Sequence, residues 1–345
     1  MVQEQVSQAN EGFGRRDLLK LGVATAAGWV TSRLDAAGPE PDPLAPPPWN
    51  PATVQAMPTR NLGRTGHRVG LFSLGGQAAI EQPHHERVAI PILERALDLG
   101  VNYLDTSARY GGAERWSERY LGEVMKRRRK EAFLATKTHD RTADGSMRLL
   151  DRSLDLLKTD HVDLWQLHAM GTMEDVDRVF AKGGALEAFQ RARDQKMVRF
   201  LGITGHADPD VLAEAIRRFP FDTVLMAFNA ADRHRHPFTE ALLPLAVEKQ
   251  MGIIGMKIPA RGRLLSSWKP TDGRQRPGTL SIREALTYVL SHPVSTVILG
   301  VDTLAQLEED VALARTFTPL SGAQMRDLEA KAAPVADQAL WFRKG

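Results

Sequence analysis

Apolar and polar positions alternate along residues 71–316 in a steady rhythm. Short apolar runs recur at Leu71–Leu74, Val101–Leu104, Ala132–Thr136, Val162–Leu167, Phe200–Ile203, Thr223–Ala227, Gly252–Met256 and Thr296–Leu299. Runs this short, with little internal alternation, read as strands buried on both faces, as in a parallel sheet. Between and after them lie stretches with apolar residues at helical spacing: His85–Leu99, Glu118–Arg129, Met147–Leu157, Gly184–Gln195, Pro209–Phe219, Thr239–Gln250, Ile282–His292 and Thr303–Thr316. Eight strand–helix units in one order predict an α/β fold, the (β/α)8 TIM barrel. Ahead of them, TRNLGRTGHRVG turns at Thr65-Gly66 and predicts a β-hairpin. A doubly wound sheet is the competing architecture. It calls for a glycine-rich phosphate loop after the first strand, and Leu74-Gly75-Gly76-Gln77 lacks the G-x-G-x-x-G spacing.

The chain ahead of the hairpin breaks the rhythm. In residues 1–37, Arg15-Arg16 is followed by Leu18, Leu19 and Lys20, then by a weakly hydrophobic stretch from Leu21 to Val30. That stretch falls short of the roughly 20 apolar residues that span a bilayer. It suits the h-region of a signal peptide, and GFGRRDLLKLGVATAAGWV resembles a twin-arginine export signal. The resemblance implies a folded chain carried by the twin-arginine translocation machinery to a periplasmic or other extracytoplasmic location. Asp35-Ala36-Ala37 is an imperfect cleavage site, so removal of the signal and retention as an anchor both stand. An amphipathic tail is the plainer alternative, and stable membrane insertion is not expected. Residues 38–58 carry seven prolines before Ala52 and read as an extended linker. The folded domain is expected from near Met57, with the barrel and a C-terminal tail over 59–345.

Composition adds exclusions. The chain has 345 residues, 43% hydrophobic and 25% charged, which is ordinary for a globular protein. A formal charge of +3 is too small to argue for a nucleic-acid partner. The basic run Lys126–Lys130 ends an expected helix, where cations meet the helix C-terminus favourably. With no cysteine there is no disulfide, thiolate metal site or cysteine nucleophile. No metal site is expected: His84-His85 and His234-Arg235-His236 lack carboxylates at useful spacing.

Chemistry concentrates at strand ends. Asp105 follows VNYL, Lys137 follows AFLAT, His168 follows VDLWQL, and Tyr110 lies in the loop that leads into Gly111-Gly112. In a barrel, the C-terminal ends of different strands converge on one cleft. A tyrosine beside a lysine and an aspartate can move protons, because an ammonium stabilises a phenolate and a carboxylate holds the ammonium. Each residue also has a plain reading: a cap, a loop aromatic, a solvated charge or a rim histidine.

GVNYLDTSARYGG, FLATKT and DRSLDLLKTDHVDLWQLH together resemble the signature segments of the aldo/keto reductases. The hairpin LGRTGHRV and the late segments GMKIPARGRLL and ILGVDTLAQLEEDV are similar to that family too. The resemblance covers roughly Thr59 to Glu329. It implies a nicotinamide cofactor, NADPH or NADH, and a small-molecule carbonyl or sugar substrate. Tyr110 would be the general acid or base, Lys137 its stabiliser, Asp105 the holder of Lys137, and His168 the donor that orients the substrate oxygen.

The resemblance also suggests cofactor contacts. Family members often place Ser-Asn after the fifth strand; here Thr204 keeps a hydroxyl and Gly205 brings no side chain. His206 either takes part or caps the following helix. Asn229 would meet the nicotinamide amide, and Lys257 the pyrophosphate or a substrate anion. Gly300, Asp302, Thr303, Gln306 and Asp310 fall where the family binds the adenosine end. Asp302 and Gln306 stand where NADPH users usually have a cation, which favours NADH; Arg261 and Arg263 are the basic groups that would oppose this. Trp116, Phe228 and Trp268 are candidate pocket walls, and Trp341-Phe342 a candidate closure. A dinucleotide-binding sensor of the same fold and a barrel hydrolase are the rival functions.

Overall fold

The apolar runs become the strands of one closed, all-parallel barrel, in which the last strand pairs with the first, Leu299 beside Leu74. The computed structural model describes residues 47–343. The strands are β3 (Phe72–Gly75), β4 (Tyr103–Asp105), β5 (Phe133–Thr138), β6 (Val162–Leu167), β7 (Val198–Gly205), β8 (Thr223–Ala227), β9 (Gly252–Met256) and β10 (Thr296–Leu299). An antiparallel hairpin, β1 (Thr59–Asn61) with β2 (Arg68–Gly70), precedes them as expected. The parallel register pairs Asp105 with Ala135, and Lys137 with Gln166.

Side chains two apart along a strand share a face. That period sorts the barrel interior into layers. Tyr103, Phe133, Leu164, Leu225, Ile254 and Ile298 form an apolar cluster with Leu62 and Val69 of the hairpin region. His67 stacks on Phe133 at 4.6 Å between ring centroids, and Phe133 stacks on Tyr103 at 5.2 Å. The hairpin therefore plugs the N-terminal end of the barrel. Gly63 makes the plug possible. It sits at φ +53°, and a Cβ there would lie 2.2 Å from Gly252 N. Further along the same inward faces come Asp105, Lys137 and Gln166, at the C-terminal end.

A second, larger core lies between the strands and the surrounding helices and includes Leu93, Leu121, Leu154, Trp165, Phe189 and Leu286. The helices Trp116–Arg128 and Ala143–Leu157 pack closely through Gly122. The basic run at the end of the first helix is largely taken up by neighbouring acids: Arg128 reaches Glu94, Asp98 and Glu131, and Arg127 reaches Glu94. Among the described residues no helix is long and apolar enough to cross a membrane.

Three details differ from the sequence reading. The helix expected over Thr239–Gln250 is two short helices, Phe238–Ala241 and Leu243–Glu248. Pro244 has no N–H to continue the first and suits the opening turn of the second. A helix over Met173–Phe180 was not expected; Thr172 caps it by accepting from Asp175 N. The stretch read as linker to residue 58 joins the fold from residue 47 on. Trp49 N donates to Lys130 O at 2.7 Å, and Asn50 Nδ2 donates to Leu97 O at 2.8 Å. A short helix follows at Thr53–Ala56, with Ala56 and Met57 buried. The proline-rich run gives way at Ala52, so the chain can dock on either side of Pro51. The signal read in residues 1–37 and the first part of the linker lie outside the described residues.

The Gly122 contact gives a test in which two effects oppose. Alanine at a helix interior is favoured over glycine by about 1 kcal/mol. A Cβ at residue 122, however, would lie 1.9 Å from the carbonyl oxygen of Leu156. Overpacking of this kind costs about 1–3 kcal/mol. Gly122→Ala is therefore expected to lower stability by about 1–2 kcal/mol, read as the denaturation midpoint. An unchanged or raised midpoint would show that the two helices separate freely.

Candidate active site

Barrel register and one clamped loop bring the four strand-end residues together. Asp105 ends β4, Lys137 is the penultimate residue of β5, and His168 follows β6 directly. Tyr110 arrives on the loop after β4. Tyr110 N donates to Ser107 O at 3.0 Å, and Gly111 turns the chain at φ +83°. A Cβ on Gly111 would lie 2.5 Å from Trp116 N, so the loop closes tightly against the next helix. Thr106 Oγ1 and Ser117 Oγ pair at 2.8 Å and fasten its start.

Within the site, Lys137 Nζ is ion-paired with Asp105 Oδ2 and donates to Thr106 O at 2.7 Å. Gln166 Nε2 donates to the other Asp105 oxygen at 3.3 Å. Lys137 is 1% exposed and Asp105 3%, so the pair is sealed from water. Burial pushes the lysine down and the carboxyl up, and each partner opposes the other's shift. The ammonium also lies 4.9 Å from the centroid of the Tyr110 ring. Tyr110 stands edge-on to His168, with centroids 5.7 Å apart. Burial holds the Tyr110 hydroxyl well above its usual range, and Asp105 and Glu81 push the same way. Burial, with Lys137 next, holds His168 well below its usual range, so the ring is neutral. The arrangement joins a protonated phenol, a cation beneath its ring and a neutral imidazole on one wall.

These residues line one cleft of about 1010 Å³. Thr204, Lys257, Gly300, Asp302, Gln306 and Asp310 line it as well. Thr204 Oγ1 accepts from Ala169 N at 2.9 Å. The glycine beside it reflects packing: a Cβ on Gly205 would lie 2.7 Å from Met170 O. Gln306 Oε1 accepts from Asp302 N at 2.7 Å, so the two tie each other down. Lys257 faces rings rather than a carboxylate, with Nζ 5.9 Å from the Trp341 centroid and 6.0 Å from Phe342. Burial and Arg261 lower its pKa to about 8. Arg261 lies 5.6 Å from the Trp341 centroid, and Arg263 4.8 Å. Trp341 Nε1 is a buried donor with no partner. Three cations around one tryptophan suit an anionic ligand.

Two expected contacts are placed otherwise. Asn229 is buried away from the cleft: its Nδ2 donates to Lys257 O at 3.1 Å, and its Oδ1 accepts from Ala231 N at 2.9 Å. Its amide is spent on holding its own loop. Thr303 does not line the cleft; its hydroxyl caps the helix Leu304–Arg315 by accepting from Gln306 N. Of the aromatic candidates, Trp268, Trp341 and Phe342 line the cleft. Phe228 is buried, and Trp116 packs against His84 and Tyr120. The expectation of no carboxylates beside His236 is corrected as well. Asp210 Oδ2 lies 3.3 Å from its Nε2 and Asp208 Oδ1 3.9 Å, brought there by the N-terminus of the helix Pro209–Arg218. All three side chains are about half exposed.

Sequence reasoning missed Ser107, Gln166 and Arg343. Gln166 stands two residues before His168, in phase with the inward faces, and that period was the available signal. Ser107 and Arg343 depend on how loops fold back. Ser107 Oγ pairs with His168 Nδ1 at 2.9 Å. Arg343 is buried against Asp232, and its guanidinium donates to Arg235 O and to His236 O. That anchor fixes Trp341 and Phe342 over the cleft.

Comparison with known proteins gives a consistent result. The model of the Aldo/keto reductase family matches residues 68–280. The uncharacterized oxidoreductase YqkF of Bacillus subtilis (strain 168) is 30% identical, aligned over 75% of this chain and 91% of its own length. L-galactose dehydrogenase of Arabidopsis thaliana is 27% identical, over 80% of this chain and 94% of its own. Among solved structures, aldo-keto reductase AKR11C1 from Bacillus halodurans, in its holo form, aligns with a TM-score of 0.68 at 27% identity. It covers 82% of this chain and 99% of that one.

Asp310 gives a pH-dependent test. It is 5% exposed, and burial together with Glu309 pushes its carboxyl up to about 7, from 3.8. A raised native pKa means stability that is present below pH 4 and lost as pH rises towards 7. Asp310→Asn removes that loss. The variant should match the parent near pH 4 and exceed it at pH 8, by no more than about 4 kcal/mol at 1.36 kcal/mol per unit. Melting temperatures of the ligand-free proteins at both pH values check this. An advantage independent of pH would overturn it.

Proposed function

The chain belongs to the aldo/keto reductase family and is an oxidoreductase of that family, and from that premise we propose that it interconverts a carbonyl and an alcohol with a nicotinamide dinucleotide. The observation that carries the reading is the buried Asp105–Lys137 pair lying beneath Tyr110, with His168 edge-on to the phenol. When bound, the nicotinamide supplies or accepts the hydride. In reduction, the Tyr110 hydroxyl gives its proton to the carbonyl oxygen as the carbon gains hydride. In oxidation it takes that proton back. Burial keeps that phenol protonated at neutral pH but makes it a weak acid, so the transfer relies on the neighbouring ammonium to stabilise the phenolate that forms. Loss of its proton leaves a phenolate, which Lys137 stabilises from beneath the ring. Asp105, Gln166 and Thr106 O keep that ammonium in place. His168 donates a hydrogen bond to the same oxygen and orients it.

The cleft has the features such a dinucleotide needs. Gly75, Gly76 and Gly300 line one wall of it. Lys257, Arg261 and Trp341 Nε1 would hold the diphosphate, and the N-terminus of the helix Leu304–Arg315 favours negative charge. Beyond Gly300 the lining turns acidic, with Asp302 and Glu309 beside the partly protonated Asp310. A 2′-phosphate there would meet carboxylates, whereas a ribose hydroxyl can donate to one. NADH is therefore the favoured cofactor. A sugar or similar polyol is the favoured substrate class, supported by the Arabidopsis relative, an L-galactose dehydrogenase.

Two measurements test this reading. Tyr110→Phe should keep dinucleotide affinity and lose about 10²–10⁴-fold in turnover of any carbonyl the parent accepts. Full turnover by that variant would sink the reading. Titration of intrinsic fluorescence should show NADH binding at least as tightly as NADPH. A clear preference for the 2′-phosphate form would reverse the assignment of the acidic end.

A further inference from the structure

We propose that Ser107 sets the tautomer of His168, donating its hydroxyl proton to Nδ1 and leaving Nε2–H as the donor available to the cleft. The proposal rests on the reading of His168 as the group that orients the substrate oxygen. It adds the residue that makes His168 able to donate.

The argument is an accounting of protons around one buried oxygen. Ser107 Oγ has two hydrogen-bonding neighbours. Arg109 N donates to it at 3.2 Å, and His168 Nδ1 lies 2.9 Å away. A serine hydroxyl has one proton to give and two lone pairs. Arg109 occupies a lone pair and can do nothing else. If Nδ1 carried a proton, both neighbours would be donors. The serine's own proton would then have no acceptor, in a side chain that is 0% exposed. An unsatisfied buried donor is costly. With Nδ1 unprotonated, every group is satisfied: Arg109 N–H to Oγ, and Oγ–H to Nδ1.

The ring's charge state closes the remaining route. A doubly protonated imidazolium would also turn Nδ1 into a donor. Lys137, Arg109, His206 and His139 all face His168 and oppose a positive charge there, as does burial. The ring is therefore neutral, and one nitrogen must lack a proton. Nδ1 is committed to Ser107, behind the ring. Nε2 is the nitrogen left for the cleft, and it can donate to an oxygen only if it holds the proton. A serine three residues before Tyr110 thus decides whether the imidazole is a donor or an acceptor toward substrate. Ser107 is a positioning residue, acting through His168.

The test is spectroscopic. The full chain, labelled with ¹⁵N-histidine, is examined by long-range ¹H–¹⁵N correlation, with the His168 signals assigned by their loss in His168→Ala. The expected pattern is a protonated Nε2 and an unprotonated Nδ1. The reverse pattern overturns the proposal, with or without turnover by the protein. A parent that reduces no carbonyl but shows the expected pattern would instead overturn the functional reading. Ser107→Ala should mix the two tautomers and lower kcat/KM by about ten-fold, roughly one hydrogen bond's worth of orientation. Ser107→Thr, which keeps a hydroxyl, should restore both. In a His168→Ala background, Ser107→Ala should cost nothing further. An equal loss in that background would show that the serine acts on the fold alone and would overturn the proposal.

Discussion

The buried ion pair between Asp105 and Lys137 is the constraint around which the upper half of the barrel is arranged. Two charges out of water are tolerable only when their partners are complete. Here Thr106 O accepts from the ammonium, and Gln166 Nε2 donates to the carboxylate. All of these groups come from β4, β5 and β6 or the residue next to them. A one-residue slip of any of these strands would turn its polar group out of the barrel and leave a charge unpaired. The pair therefore specifies register as well as chemistry. It also explains why Tyr110 can be buried above a cation. The ammonium is already held from below, so its position under the ring does not depend on the substrate.

The other end of the barrel answers a different requirement. Apolar side chains on the inward faces fill the space below the ion pair, and the hairpin with Leu62 and Val69 closes the bottom. His67, stacked on Phe133, is held neutral by burial, with its pKa at about 4. The interior thus runs from an apolar plug to a charged mouth within a few residues of each strand. That gradient leaves the charged pair only one direction in which to face solvent or a ligand, namely upward into the cleft.

Much of this was legible in the sequence because it follows from periodicity. Short apolar runs marked every barrel strand to within a residue or two, and the glycine-marked turn marked the hairpin. Asp105, Lys137 and His168 were found because they break apolar runs at a fixed place, the C-terminal end. What escaped depends on contacts between loops. Ser107 is an ordinary serine until its loop folds onto His168. Asn229 looked like a ligand contact but satisfies its own loop, and Thr303 looked like one but caps a helix. The carboxylates beside His236 come from another segment of the chain, so spacing could not reveal them. Pro244 lies inside the stretch whose apolar spacing reads as one helix, and its missing N–H divides that stretch in two.

The C-terminal residues form one wall of the cleft. Arg343 is tied to Asp232 and to the carbonyls of Arg235 and His236, which belong to the loop after β8. That anchor presents Trp341 to Lys257, Arg261 and Arg263 from the loop after β9, and Phe342 to His206 from the end of β7. Three separate loops therefore share one wall, formed by the chain's last described turn. Lys257 and Arg263 are half-buried against these rings while Arg261 stays exposed, and all three attract an anion. His206, beside them, is held neutral by burial and by Lys257, with its pKa at about 4. The positive charge of this wall is thus concentrated on the lysine and arginines, while the acidic residues lie on the loop after β10 and the helix that follows. A ligand with a negative middle and a hydroxylated end would match both regions at once.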